Sequence, residues 1–314
     1  MAVDPVPGAP RANFFLVGAP KAGTTSVDRL LREHADVFLS PIKEPCHFCP
    51  DVNAQLASQQ DPSRLDLDAY LDAPQRPIVH LYPVSSPERY ARLFDGAAGR
   101  RIVGECSTYY LSSAVAAERI HAYNPAAKIL VLTREPIARI RSHYVMDRTL
   151  GLASRPLPDL VEEELALGAR ANWGNCRYYV GASRYGVQIA EYAARFPAGN
   201  VCVLSFERLV AEPERELRRL FTFLGIRPPA RLALPRENGA RAARFEWLHS
   251  GLRESGIKPM LRGLWNRSAG TRFGRMARSM YYRDKADFVS QEDLQRVRGL
   301  LRELHMDSPM EEAA

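Results

Sequence analysis

No stretch of this sequence is long and apolar enough to cross a membrane. Its longest clean apolar runs, Phe14–Ala19 and Ile129–Leu132, fall far short of the roughly 18 residues a spanning helix needs. Cysteine is scarce: five residues, at 46, 49, 106, 176 and 202, form an odd, scattered set that makes a poor disulfide framework. No repeat of about 20–50 residues recurs, and no Pro/Ser linker separates two cores. The N-terminus carries neither a basic start nor an apolar core of signal-peptide length. These absences point to a cytoplasmic protein with one domain over 13–305, between a flexible leader (1–12) and a short tail (306–314).

What is present suits a large core. Of 314 residues, 46% are apolar and 25% charged, close to the soluble globular average, which excludes a wholly disordered or fibrous chain. Lys and Arg outnumber Asp and Glu 43 to 36, a formal net charge of +7. Such a surplus suits anionic ligands: nucleotide, nucleic acid, lipid, or sulfated and acidic substrates.

Short apolar strands alternate with amphipathic helices. Strands are expected at 13–18, 37–40, 101–105, 128–133 and 201–205. Helices are expected after the loop at 19–26, then at 87–94, 112–123 (with a Ser cap), 136–148, 185–196 and 212–224. The stretch 50–86 reads as a surface excursion with one short helix near 67–71. This alternation predicts an α/β fold, a P-loop-like central parallel β-sheet flanked by helices on both faces, with a helical C-terminal segment.

Gly18-Ala-Pro-Lys-Ala-Gly23-Thr24-Thr25 follows the first strand and opens a helix. Backbone N–H groups in such a loop, together with the positive helix end, cradle an anion. The Walker pattern places Lys directly after the second Gly. Here that position is Thr24, and Lys21 sits inside the loop. A Walker B strand would end in Asp, whereas Ile129-Leu-Val-Leu-Thr-Arg134 ends in Arg. Both departures describe a site that neutralises anions with Lys and Arg instead of a divalent cation.

Lys21-Ala-Gly-Thr-Thr-Ser26 resembles the 5′-phosphosulfate loop of sulfotransferases that use 3′-phosphoadenosine 5′-phosphosulfate. Leu130-Val-Leu-Thr-Arg-Glu-Pro136, with Ser142 beyond it, is similar to their 3′-phosphate segment. Lys43-Glu-Pro-Cys-His-Phe48 and Gly104-Glu-Cys-Ser-Thr-Tyr-Tyr110 resemble segments of the glycan and heparan sulfate branch. The likeness runs from about residue 13 to residue 244.

The resemblance implies an enzyme that carries out in-line sulfuryl transfer from that nucleotide to a hydroxyl or amine of a glycan or natural-product acceptor. The product nucleotide is 3′,5′-bisphosphoadenosine, and no metal is required. It implies that Lys21 meets the bridging oxygen and that Ala22, Gly23, Thr24, Thr25 and Ser26 hold the 5′-phosphate. Arg134 and Ser142 then hold the 3′-phosphate, and Arg244, with Asn238 and Arg241, closes over the nucleotide. Arg139 and Arg141 read as solvated helix positions. Two candidates stand for the base: Glu44, and His47, which lies one position beyond the family's histidine because Cys46 intervenes. Lys43, Glu44, His47, Ser107 and Tyr109 would line the acceptor side. Cys106 stands where the heparan sulfate branch commonly has Lys. Trp173, Tyr178 and Tyr179 are candidate pocket walls. Cys46 and Cys49 have no second pair at zinc-site spacing.

Two other readings compete: a divergent P-loop kinase using ATP, and a non-enzymatic binder of nucleic acid or anionic surfaces through the basic tail. The displaced lysine and missing Walker B Asp oppose the first. Against the second stands the lack of zinc-finger spacing or an aromatic RNA motif, so no nucleic-acid partner is expected.

Overall fold

A computed structural model describes residues 10–57, 65–235 and 288–302, with the backbone of 242–243 and 282–283. Arg244 and the tail lie outside the described residues. Five parallel strands form one sheet in the order β2-β5-β1-β6-β7: β1 (Phe14–Leu16), β2 (Val37–Leu39), β5 (Ile102–Cys106), β6 (Lys128–Thr133) and β7 (Val201–Ser205). The central strand β1 is wholly buried and pairs with β5 (Phe15 opposite Glu105) and β6 (Phe15 opposite Ile129). A short parallel pair, β3 (Ile42–Lys43) with β4 (Val79–His80), stands beside it.

The helices between are α1 (Thr24–Arg32), α2 (Pro50–Leu56), α3 (Leu67–Asp72), α4 (Pro87–Arg92), α5 (Ala116–Tyr123), α6 (Pro136–Leu150), α7 (Leu157–Leu167), α8 (Tyr185–Ala193), α9 (Phe206–Ala211) and α10 (Pro213–Leu224). A last helix, α11 (Gln291–Arg302), follows the undescribed stretch. From β1 the chain steps through α1 to β2 on one side. From β5 it steps through α5 to β6 on the other, and right-handed crossovers in opposite directions place helices on opposite faces. The strand order therefore reverses between β1 and β6, and a crevice at the carboxyl ends of these two strands is where such sheets bind ligands.

Local chemistry explains the element ends. Pro136 fills the first position of α6, the Glu135 carboxylate accepts from the N–H groups of Ile137 and Ala138 at 2.9 and 2.6 Å, and Gly151 ends the helix at φ 71°.

Several expectations are corrected. The helix expected from Ser112 starts at Ala116. Thr108–Ser112 is instead a 3₁₀ turn, and it is the Ser113 hydroxyl that accepts from Ala116 N–H at 3.1 Å. Within the expected surface excursion, the described residues 50–57 and 65–86 contribute to the fold: Val52, Leu71 and Val84 are buried and β4 pairs with β3. Ala12 belongs to the fold and not to a loose leader; it is buried, and its N–H donates to the Tyr123 hydroxyl at 3.1 Å.

Candidate active site

Past the end of β1 the backbone stays on β6: Ala19 N–H donates to the Leu132 carbonyl at 2.9 Å, and a Cβ on Gly18 would lie 2.6 Å from Leu132 N. The chain then turns through Lys21 (φ 71°) and Gly23 (φ 87°) into α1. A Cβ on Gly23 would meet the Phe206 ring at 2.6 Å, so position 23 needs glycine for both space and conformation. The N–H groups of Ser26 and Val27 return to the Gly23 carbonyl. Thr24 and Thr25 occupy the first turn, where N–H groups have no acceptor four residues back. The result is a backbone cradle at a positive helix end. Thr24 and Ser26 are buried and Thr25 half-buried.

The guanidinium of Arg134, at the end of β6, donates from Nη1 to the Lys21 carbonyl at 3.0 Å and lies 4.7 Å over the Phe206 ring. Its Nε is buried with no hydrogen-bond partner, and burial lowers the pKa of the group. A half-buried cation with an unsatisfied donor, fixed to the wall of a backbone cradle, is built to receive an anion. The Lys21 ammonium donates to Met146 Sδ on α6 at 3.6 Å, a weak acceptor that an anionic oxygen outcompetes. Ser142 is half-buried in the second turn of α6.

Sequence reasoning passed over two residues here. Phe206 is the floor shared by Gly23 and Arg134. Glu207 ties the end of β7 to the start of α6, accepting from Glu135 N–H at 3.0 Å and from the Ser205 hydroxyl at 2.9 Å. The available signal was their place directly after a strand at the carboxyl edge of the sheet.

The Lys43-Glu44 segment joins this loop from β3. Lys43 is not solvated; it is 3% exposed, and its ammonium lies 3.2 Å from Thr25 Oγ1 and 3.4 Å from Glu44 Oε1. Burial presses its pKa down, but Cys106, Glu44 and Asp28 outweigh that and raise it above the ordinary value. The Thr108 hydroxyl donates to Glu44 Oε2 at 3.0 Å. Glu44 is half-buried and stands one side chain from the phosphate cradle.

His47 points elsewhere. It is 4% exposed, its ring stacks on Tyr90 at 4.2 Å, and its Nδ1 bonds the Val84 carbonyl at 2.6 Å. Burial, opposed by that bond and aided by Arg119, drops its pKa to about 4. A ring sealed among aromatics cannot reach an acceptor, so the expectation that His47 shares the acceptor side with Glu44 is corrected. Ser107 is likewise enclosed: its hydroxyl donates to Glu105 at 2.6 Å and accepts from Cys46 N–H at 3.1 Å. Tyr109 is half-buried, edge-on to Trp173 at 4.9 Å, and burial with Glu44 nearby raises its pKa. Trp173 also meets Tyr178 at 5.2 Å and His143 at 5.8 Å. Cys46 and Cys49 are thiols, and Cys49 Sγ donates to the Cys46 carbonyl at 3.5 Å.

Arg139 is corrected outright. It is fully buried, donating to the Ser183 hydroxyl at 2.5 Å and to the Tyr179 carbonyl, with His143 Nδ1 at 3.3 Å. It braces the 179–183 turn behind α6, so its charge is internal.

Residues 13–229 match the model described as the sulfotransferase family. Carbohydrate sulfotransferase 15 of Rattus norvegicus is 25% identical over 254 residues, covering 69% of this chain and 44% of that protein. Heparan sulfate glucosamine 3-O-sulfotransferase 3B1 of Mus musculus is 31% identical over 220 residues, covering 68% of this chain and 46% of that protein. The chain thus spans less than half the length of these curated relatives. Among solved structures, a sulfotransferase from Alicyclobacillus acidocaldarius matches with a TM-score of 0.59 and 30% identity, covering 73% of this chain and 87% of that one.

Proposed function

The chain belongs to the sulfotransferase family, and from that premise we propose that it moves a sulfuryl group from 3′-phosphoadenosine 5′-phosphosulfate to a carbohydrate or small-molecule hydroxyl. The observation that carries this reading is the bond at 3.0 Å from the Arg134 guanidinium to the Lys21 carbonyl beside the Gly23 cradle, which sets a cationic side chain from the end of β6 against the loop that opens α1. The orphaned Nε of Arg134 fits the 3′-phosphate, with Ser142 as a second donor. The backbone of Ala22–Thr25 fits the 5′-phosphate.

In this reading Glu44 takes the proton from the acceptor hydroxyl as the acceptor oxygen bonds to sulfur. The sulfur–oxygen bond to the 5′-phosphate breaks, and its electron pair stays on the bridging oxygen. The products are a sulfate ester, 3′,5′-bisphosphoadenosine and one proton held by Glu44. Lys21 leaves the Met146 thioether to meet the charge growing on the leaving oxygen. Lys43 holds the Glu44 carboxylate beside the loop, and the half-buried Tyr109 and Tyr178, packed on buried Trp173, offer aromatic surface to a sugar or planar acceptor. The catalytic task is positioning and charge stabilisation, as in phosphoryl transfer. A carbohydrate acceptor is supported by the names of the relatives. A cytoplasmic setting is supported by five cysteines that are all free thiols; among the described residues no helix is long and apolar enough to cross a membrane.

Isothermal titration with 3′,5′-bisphosphoadenosine in the absence of Mg²⁺ tests the donor. Tight binding supports the proposal; tighter binding of ATP–Mg²⁺ than of the bisphosphate overturns it. Turnover on unsulfated oligosaccharides against simple phenols separates the acceptor classes.

A further inference from the structure

Glu105 is a buried acid with no place in the chemistry above. It is wholly inaccessible, on β5 opposite Phe15. Its partners among the described residues are three hydroxyls: Tyr110 at 2.5 Å and Tyr90 at 3.2 Å on one oxygen, Ser107 at 2.6 Å on the other. Burial pushes its pKa up to about 7 against the pull of those bonds. Sealing a carboxylate in this way is costly, so its retention calls for a reason besides stability.

The reason lies in what Ser107 does next. Its proton is spent on Glu105, which turns a lone pair toward Cys46 N–H at 3.1 Å. Cys46 (φ 49°) and Glu44 (φ 66°) flank Pro45, and both sit in the left-handed region that non-glycine residues avoid. Such a segment keeps its shape only when its surroundings over-determine it. The strand end grips it twice, through the Cys106 carbonyl on Glu44 N–H at 2.7 Å and through Ser107 on Cys46 N–H. The second grip runs through a side chain, as do the Thr108 hydroxyl on Glu44 Oε2 at 3.0 Å and the Asn53 amide on the Cys46 carbonyl at 2.8 Å; of these three side chains it is Ser107 whose direction Glu105 sets.

We propose that Glu105 is a positioning residue: through Ser107 and the Cys46 amide it fixes the strained turn that aims the Glu44 carboxylate at the acceptor. This rests on Glu44 being the base. Glu105→Gln replaces one of the two acceptor oxygens with a donor; where the two tyrosine hydroxyls keep the remaining oxygen, the amide NH2 faces Ser107 and the serine proton loses its acceptor. In Ser107→Ala the Cys46 amide loses its partner.

The test is the single-turnover release of 3′,5′-bisphosphoadenosine from the sulfated nucleotide, with an unsulfated glucosamine oligosaccharide as acceptor, or water where that does not react. It is paired with hydrogen exchange at the Cys46 amide. Glu105→Gln and Ser107→Ala are expected to slow release tenfold or more while the Kd for the bisphosphate stays within twofold. Cys46 exchange should quicken at least tenfold, with the β1 amides unchanged. Added to Glu44→Gln, neither change should slow release further, because both act through that carboxylate. Wild-type release with wild-type Cys46 exchange, or losses that multiply with that of Glu44→Gln, overturns the proposal. Should Glu105→Gln fail to fold, Ser107→Ala carries the same test. If Glu44→Gln itself releases product at the wild-type rate, the base assignment has failed and the positioning role falls with it. The exchange data still report whether the Glu105–Ser107 grip exists.

Discussion

The guanidinium of Arg134 donates to the backbone carbonyl of Lys21 at 3.0 Å. The two segments that carry these residues are 113 positions apart in the chain, and they meet because β1 and β6 are neighbours whose carboxyl ends define the crevice. The contact does two things. It holds the loop at Lys21, and it keeps the guanidinium over Phe206 with its Nε left unpartnered.

Removing that fork should therefore erase selectivity for the 3′-phosphate more than binding as a whole. Hydrogen bonds to charged groups contribute about 1.5–3 kcal/mol. Arg134→Ala should accordingly weaken 3′,5′-bisphosphoadenosine by roughly 10- to 100-fold while adenosine 5′-monophosphate weakens far less. Arg134→Lys should rescue little, since an ammonium neither forks nor stacks on Phe206. Titration calorimetry with both nucleotides measures the ratio, and an unchanged ratio would count against the assignment.

Lys21 and Gly23 should fail in different ways. Lys21→Ala removes a cation that acts when charge develops, so the chemical step should slow by about 10²–10³-fold, with a smaller loss in bisphosphate affinity. Gly23→Ala forces a Cβ to 2.6 Å from the Phe206 ring at φ 87°, a strain of at least about 1–2 kcal/mol. It should lower Tm and nucleotide affinity together. Shrinking the ring in Phe206→Leu should relieve the clash but not the φ strain, and so restore only part of the loss.

The sheet and the anion loop were legible because they rest on local signals: an apolar run into a glycine turn, a strand ending in Arg, a Pro at a helix start. Glu44 is proposed as the base on resemblance, not on any local signal. Its partner Thr108 comes from the turn after β5, 64 positions on, and no spacing rule couples the two. His47 misled because a histidine beside an acid looks the same in sequence whether its ring faces a cleft or Tyr90. Arg139 misled for a similar reason. A helical arginine is ordinarily solvated, and what buries this one is the turn at 179–183, forty residues away in the chain. Phe206 carries no chemical signature at all, and its role appears only when Gly23 and Arg134 are seen on its two sides.

Arg139 gives a stability prediction with a plain mechanism. Arg139→Met fills much of the volume but removes the guanidinium bonds to the Tyr179 carbonyl and the Ser183 hydroxyl, which keep only the bond from that hydroxyl to that carbonyl at 3.0 Å, and takes a positive charge from the neighbourhood of the Glu164 carboxylate. That carboxylate accepts from the N–H groups of Val180 and Gly181 at 3.1 and 2.7 Å. Hydrogen bonds to charged groups contribute about 1.5–3 kcal/mol each, so losing these two should cost the variant at least about 2 kcal/mol in urea denaturation. Arg141→Met, at a half-buried position on the same helix, should stay within about 0.5 kcal/mol.

His47 makes the sharpest contrast between packing and catalysis. Replacing the base should cost about 10²–10⁴-fold in turnover, which is expected of Glu44→Gln. His47→Phe keeps a ring against Tyr90 and should retain turnover within severalfold, losing only the bond to Val84, about 1 kcal/mol at neutral pH. The pH dependence has a fixed sign. The folded pKa of His47 is lowered from 6.5 to about 4, so between those values the unfolded chain binds the extra proton. The neutral histidine's contribution is complete above pH 6.5 and drains away as pH falls toward 4, by up to about 1.4 kcal/mol per unit. Glu105 and Asp147, whose pKa values burial raises to about 7 and about 6, run the opposite way, but they are common to both proteins. The difference in unfolding free energy between wild type and His47→Phe, followed by urea denaturation from pH 7.5 down to 4.5, should therefore shrink and change sign, with the phenylalanine variant the more stable in acid. A difference that stays level across that range would mean the imidazole is open to solvent and able to carry its proton, and would return His47 to contention as a base.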